Sequence, residues 1–130
     1  MIDMPMLVDT DVLIWHLRGY PPATRRLDEL GALTLSTVSY LEVVQGVRNK
    51  IELLAIKKML EMRSARLLPV TEAITQRATV LMETLALSNG LRLGDAFIAA
   101  TAIEHRLPVL TANAKHFSPV PGLGIETFIL

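Results

Sequence analysis

The strongest constraint in this chain is an alternation. Short apolar runs, each cut off by polar residues, are separated by longer stretches with helical spacing. Met6-Leu7-Val8 stops at Asp9-Thr10-Asp11, Leu33-Thr34-Leu35 at Ser36-Thr37, and Leu67-Leu68-Pro69-Val70 at Thr71. Pro108-Val109-Leu110-Thr111 runs out before Asn113. Runs of this length read as strands buried on both faces. Between them, helical periodicity covers 12–17, 23–30, 38–47, 51–62, 71 to about 87, and 96–103, with a short turn or helix over 113–117. Gly31 and Asn89-Gly90 act as stops, and Ser36-Thr37 and Thr71 as caps. Pro119, Pro121 and Gly122 break the chain before a last edge strand over 125–129. Strands alternating with helices predict an α/β, three-layer α/β/α domain with a mostly parallel sheet of four to five strands. In such sheets ligands sit at the carboxyl ends of the strands. That directs attention to Asp9, Ser36, Val70 to Glu72, and Thr111 to Asn113.

Composition narrows the function. The 130 residues suit one domain, 1–130, and 51% apolar with 20% charged residues is a globular balance. With no cysteine there is no disulfide scaffold, thiolate zinc site or cysteine nucleophile. Lys plus Arg and Asp plus Glu both number 13, which excludes a strongly basic nucleic-acid coat. The start, MIDMPMLVDT, lacks the pattern of a signal peptide, and no stretch reaches the roughly 18 apolar residues of a membrane span. The expectation is a soluble, cytoplasmic protein.

Three carboxylates stand in apolar surroundings. Asp9 closes the first strand, Glu42 lies within Val38-Ser39-Tyr40-Leu41-Glu42-Val43-Val44, and Asp95 opens the run Ala96-Phe97-Ile98-Ala99-Ala100. Burying an ionised carboxylate is costly unless a partner or metal compensates it. No Lys or Arg lies one helical turn from Glu42, and Gly46 leaves space one turn further on. Each acid also has a structural reading: Asp9 and Asp95 as helix N-caps, Glu42 as a solvated surface residue. Asp9 stands at a strand end, and the other two lie on helices able to converge there. Carboxylates gathered in this way need a hard cation such as Mg²⁺ or Mn²⁺ to coexist ionised. Such ions activate water and stabilise a phosphate under in-line attack. Taking these three acids away leaves ten against 13 bases, so the rest of the surface is mildly basic and a neutral total charge does not argue against an RNA substrate.

These residues carry a family resemblance. LVDTDVLIWHLRG resembles the opening motif of PIN-domain ribonucleases, specifically the VapC-type toxins of type II toxin–antitoxin (VapBC) systems. LSTVSYLEVVQGVRN resembles their second motif, and LRLGDAFIAATAIEHRLPVLTANAKHF their third and fourth together. The resemblance runs nearly end to end. It implies a three-layer PIN fold and a Mg²⁺-dependent endoribonuclease, with Mn²⁺ as a substitute. By the same analogy, water activated by the metal hydrolyses RNA phosphodiester bonds to leave a 3′-hydroxyl and a 5′-phosphate. Single-stranded or loop RNA, as in tRNA or rRNA, fits that chemistry. Implied partners are a VapB-like antitoxin, which offers a helix or extended segment to a groove, and a second copy in a homodimer.

Residue by residue, Asp9, Glu42 and Asp95 match the family's metal-binding and catalytic acids. Thr10, Ser36 and Thr111 match supporting polar residues. Asn113 occupies the position where many PIN domains have a fourth acid; it can hold metal or a bound water but adds no charge. Asp11 could restore that charge, but its expected role is to cap the first helix. Arg18, Arg48, Arg92, Lys115 and His116 flank the motifs as RNA-binding candidates, with solvated surface charge the alternative for each. Trp15 reads as packing and His105 as a helix-end cation. Two other functions stay open. One is a catalytically weak or inactive PIN module that binds RNA or protein. The other is a phosphoacceptor signalling domain, which lacks the needed carboxylate where Pro69-Val70-Thr71 stands.

Overall fold

The computed structural model describes residues 4–130. Five strands form one sheet: β1 (Leu7–Val8), β2 (Thr34–Ser36), β3 (Arg66–Leu68), β4 (Val109–Thr111) and β5 (Ile125–Thr127). Their spatial order is β3-β2-β1-β4-β5, and every pairing is parallel. Among the described residues, seven helices cover the sheet: α1 (Thr10–Leu17), α2 (Pro21–Leu30), α3 (Thr37–Gln45), α4 (Lys50–Met62), α5 (Glu72–Asn89), α6 (Leu93–Glu104) and α7 (Ala114–Phe117). The α/β/α expectation holds, with all strands parallel.

The period-two alternation of a strand explains the two cores. Leu7 and Val109 face one side, where α5 and α6 bring Ile74, Ala78, Leu81 and Ile98. Val8 and Leu110 face the other, against Leu13, Leu27, Leu35 and Ile56 from α1, α2, β2 and α4. Both faces of β1 are therefore dry, and Leu7 and Val8 are fully buried. Full burial of such side chains contributes about 1.5–3 kcal/mol each.

Caps set most helix limits. The Ser36 hydroxyl accepts from the Val38 N–H at 3.1 Å and Thr71 from Ile74 at 3.2 Å. Asn49 accepts from Glu52 at 2.9 Å. Gly90 ends α5 in the left-handed region at φ +67°, which an L side chain resists. Three helix starts lie two or more residues ahead of the sequence reading: α1 begins at Thr10, α2 at Pro21, whose prolines fill its first turn, and α6 at Leu93. The chain order runs outward from β1 to β3 and then crosses back, so β4 lies beside β1. The carboxyl ends of β1 and β4 thus form the topological switch point, where open α/β sheets bind ligands.

Candidate active site

Asp9 leaves β1 at this switch point, with its N–H donating to the Leu110 carbonyl at 2.9 Å. Its side chain is 5% exposed. Oδ1 accepts from the Thr10 N–H and Oδ2 from the Thr111 hydroxyl, both at 2.8 Å. Burial, followed by the nearby charge of Asp11, pushes the Asp9 carboxyl up to about 8 against the two hydrogen bonds that favour its ionised form.

Glu42 arrives on α3, the helix that Ser36 caps, and Oε1 accepts from the Thr10 hydroxyl at 2.6 Å. A Cβ on Gly94 would stand 2.7 Å from Glu42 Oε2, so the first turn of α6 approaches this carboxylate only because residue 94 has no side chain. Gly46, by contrast, would meet nothing closer than the Val43 carbonyl at 3.5 Å. The glycine that makes room for Glu42 is Gly94. Spacing along the chain does not single it out, because it precedes an acid that itself reads as a helix N-cap.

Asp95 lies in the first turn of α6, partly buried, where the helix dipole favours an anion. It is not the N-cap; Arg92 holds that position and makes no side-chain cap bond. Burial raises the Asp95 carboxyl, and the His116 imidazole, with Nδ1 3.5 Å from Oδ2, opposes the rise. The expectation of three acids in apolar surroundings needs correction at one of them. Asp9 is buried and Asp95 half-buried, but Glu42 is exposed, because the face of α3 that carries it opens toward solvent.

A cavity of about 220 Å³ is lined by Asp9, Thr10, Asp11, Glu42, Asp95 and Asn113, with Arg92 and His116 also at its wall. Thr10 and Thr111 each donate to an acid, whereas Ser36 serves only as the α3 cap. Asp11 does not cap α1 either. Its Oδ2 accepts across the cavity from the Ala112 N–H and from Asn113 Nδ2, both at 3.0 Å.

The basic candidates divide. Arg92 and His116 belong to this cavity, and Lys115 stands exposed on α7. Arg18 and Arg48 line a separate groove of about 570 Å³ between α1, α3 and α4. There Arg18 lies 5.9 Å from the Trp15 ring centroid and Arg48 pairs with Glu52 at 2.9 Å. Trp15 packs on Tyr20 with ring centroids 5.2 Å apart.

The donor set suits a hard divalent cation. All the candidate ligands are oxygens. The upward shift of the buried Asp9 carboxyl, caused by burial and the neighbouring Asp11 charge, and a buried Asp11 Oδ1 that receives no hydrogen bond both mark a site short of positive charge. Among the described residues, no group of three His, Cys, Asp or Glu side chains is already drawn together in ligand geometry, so the acids line the cavity without closing on its centre. Also among the described residues, no helix is long and apolar enough to cross a membrane.

The family signature "PIN domain" matches residues 6–123. Ribonuclease VapC10 of Mycobacterium tuberculosis is 41% identical over 118 residues, covering 86% of this chain and 85% of that protein. Ribonuclease VapC1 of Methanocaldococcus jannaschii is 29% identical over 128 residues, covering 95% and 86%. Among solved structures, a toxin–antitoxin complex from Klebsiella pneumoniae superimposes with a TM-score of 0.80 at 26% identity, over 97% of this chain and 100% of its own. A DNA-bound VapBC from Salmonella typhimurium shares the fold with a TM-score of 0.82 at 20% identity, over 98% of each chain. The chain therefore belongs to the PIN-domain family and, within it, to the VapC-type ribonucleases.

Proposed function

We propose that this chain is a single-domain, Mg²⁺-dependent endoribonuclease and the toxin of a type II toxin–antitoxin pair, working in the cytoplasm. The observation that carries the reading is the gathering of Asp9, Glu42 and Asp95 from β1, α3 and α6 around one cavity at the switch point of the sheet. These three would hold Mg²⁺ or Mn²⁺. Asn113 stands beside them with its Oδ1 still available, since Nδ2 is committed to Asp11. The chemistry such a cation supplies when bound is neutralisation of the acids and polarisation of both a phosphodiester and the attacking water.

The chain's own residues fix the geometry. Thr111 and the Thr10 N–H hold the two oxygens of Asp9, and the Thr10 hydroxyl holds Glu42, so neither carboxylate must reorganise during reaction. Arg92 and His116, on the wall of the same cavity, are placed to meet phosphate oxygens of a bound strand. RNA with unpaired bases fits best, since a continuous duplex cannot splay a nucleotide into a cavity of this size.

The groove between α1, α3 and α4 has an apolar floor that includes Ile14, Val43, Val47 and Ile56. Ile14 also lines the acid cavity, so an occupant of the groove lies next to the catalytic acids. A helix or extended segment of a VapB-like antitoxin is the proposed occupant, with a homodimer as the assembled form. Support comes from the structural relatives, which were solved as toxin–antitoxin complexes.

The deciding experiment is cleavage of total cellular RNA by antitoxin-free protein with Mg²⁺, Mn²⁺ or EDTA, alongside Asp9→Asn. Discrete fragments that require metal and vanish in the variant support the nuclease. Intact RNA with folded protein would instead favour a binding module.

A further inference from the structure

Asp11 is a carboxylate that the three-acid reading leaves without a task. The cap of α1 is Asp9, whose Oδ1 takes the Thr10 N–H, and Asp11 faces away from its own helix to the junction of β4 and α7. Oδ2 receives the Ala112 N–H and Asn113 Nδ2 at 3.0 Å each, with the Thr111 hydroxyl 3.4 Å away. That hydroxyl is closer to Asp9, at 2.8 Å. Oδ1 is buried and receives no hydrogen bond from an N–H or hydroxyl donor, although the half-buried side chain lines the acid cavity beside the Asp9 carboxyl, whose proton affinity it raises. A carboxylate with its donors crowded on one oxygen and none on the other keeps unsatisfied charge in a place where water is scarce.

Asn113 explains how the arrangement is tolerated. Its amide donates to Asp11, whereas an ionised aspartate at 113 would put a second carboxylate at the same 3.0 Å. The residue types at 11 and 113 are complementary in this chain: one acid and one amide. We propose that Asp11 is the fourth carboxylate of the divalent-cation site and that Asn113 is its positioning residue, so that the charge missing from the end of β4 is supplied by the first turn of α1. This inference rests on the metal-dependent nuclease reading given above.

The test is Mn²⁺ titration of the full chain, reading the electron paramagnetic resonance signal of free Mn²⁺, with folding checked by circular dichroism. The variants are Asp11→Asn, the exchange Asp11→Asn/Asn113→Asp, and Asp9→Asn as reference. The expected result is Mn²⁺ affinity reduced about tenfold by Asp11→Asn and returned close to wild type by the exchange, which keeps one acid and one amide. If Asp11→Asn is folded and binds within about twofold of wild type while Asp9→Asn binds far more weakly, the inference is overturned and the three-acid site stands. If Asp11→Asn fails to fold, the exchange variant decides alone: wild-type affinity supports the inference, and affinity as low as that of Asp9→Asn overturns it. If wild type itself takes up no Mn²⁺, the site reading fails and the inference goes with it.

Discussion

At the scale of single residues, the acid cavity trades stability for chemistry. The folded chain holds the Asp9 proton up to about pH 8, whereas an unconstrained aspartate releases it near 3.8. The stability this group contributes is therefore full below 3.8 and gone once the pH passes about 8. Without metal, wild-type protein should lose stability steadily across that window. Asp9→Asn removes the liability. At pH 8 without metal its Tm should exceed that of wild type, by roughly 3–5 °C for each kcal/mol recovered, while its RNA cleavage should be lost. Added Mg²⁺ should raise the Tm of wild type and leave that of the variant unchanged. Calorimetry in EDTA checks both, and a variant that melts lower would show that the Asp9 charge is already compensated by protein groups. Gly94→Ala acts differently. The new methyl displaces the flexible end of Glu42 and no backbone, so the Tm should move by less than about 2 °C while turnover drops about tenfold or more. Equal turnover would mean that Glu42 tolerates the shift.

At the scale of elements, capping decides what the sequence makes legible. The stop at Asn89-Gly90 and the caps Ser36 and Thr71 stand where chemistry predicts, because each supplies a named hydrogen bond or a left-handed φ. The start of α6 does not. Arg92 offers no side-chain cap, and Gly94 falls inside the first turn, so the helix opens three residues ahead of the predicted run that begins at Ala96. The start of α1 was obscured by the reverse problem, three polar residues in a row of which any could cap. Only the tertiary partners distinguish them: Asp9 accepts from the Thr10 N–H, the Thr10 hydroxyl donates to Glu42, and Asp11 accepts from the Ala112 N–H across the cavity. A cap that also sets the start of the helix carrying Glu42 gives a sharp expectation. Ser36→Ala removes the acceptor for Val38 and should cost about 1 kcal/mol, seen as a shift in the midpoint of chemical denaturation at unchanged slope. A neutral result would mean that contacts of α3 with α1 and α6 fix its start without the hydroxyl.

At the scale of the whole molecule, the topology was readable and the distribution of surface charge was not. Alternating strands and helices impose the parallel sheet, and the return of the chain to β1 brings three acids from distant segments to one place. Which arginines join them depends on how α1, α3 and α4 splay apart, and spacing along the chain carries no record of that. Arg18 and Arg48 consequently border the apolar groove, where they and Glu52 make a charged rim, whereas Arg92 and His116 line the acid cavity. The same splay creates the surface on which inhibition should depend. Ala55 lines the groove from the exposed side of α4, so a larger charged side chain there obstructs an apolar occupant without entering the core. Ala55→Glu should raise the antitoxin concentration needed for half-inhibition of RNA cleavage by about tenfold, equivalent to roughly 1.4 kcal/mol of lost binding. The measurement is a titration of the neighbouring gene product into the cleavage reaction of each protein. Superimposable inhibition curves would move the antitoxin to another face. A displaced curve would connect the groove to the acid cavity through Ile14, the residue that lines both.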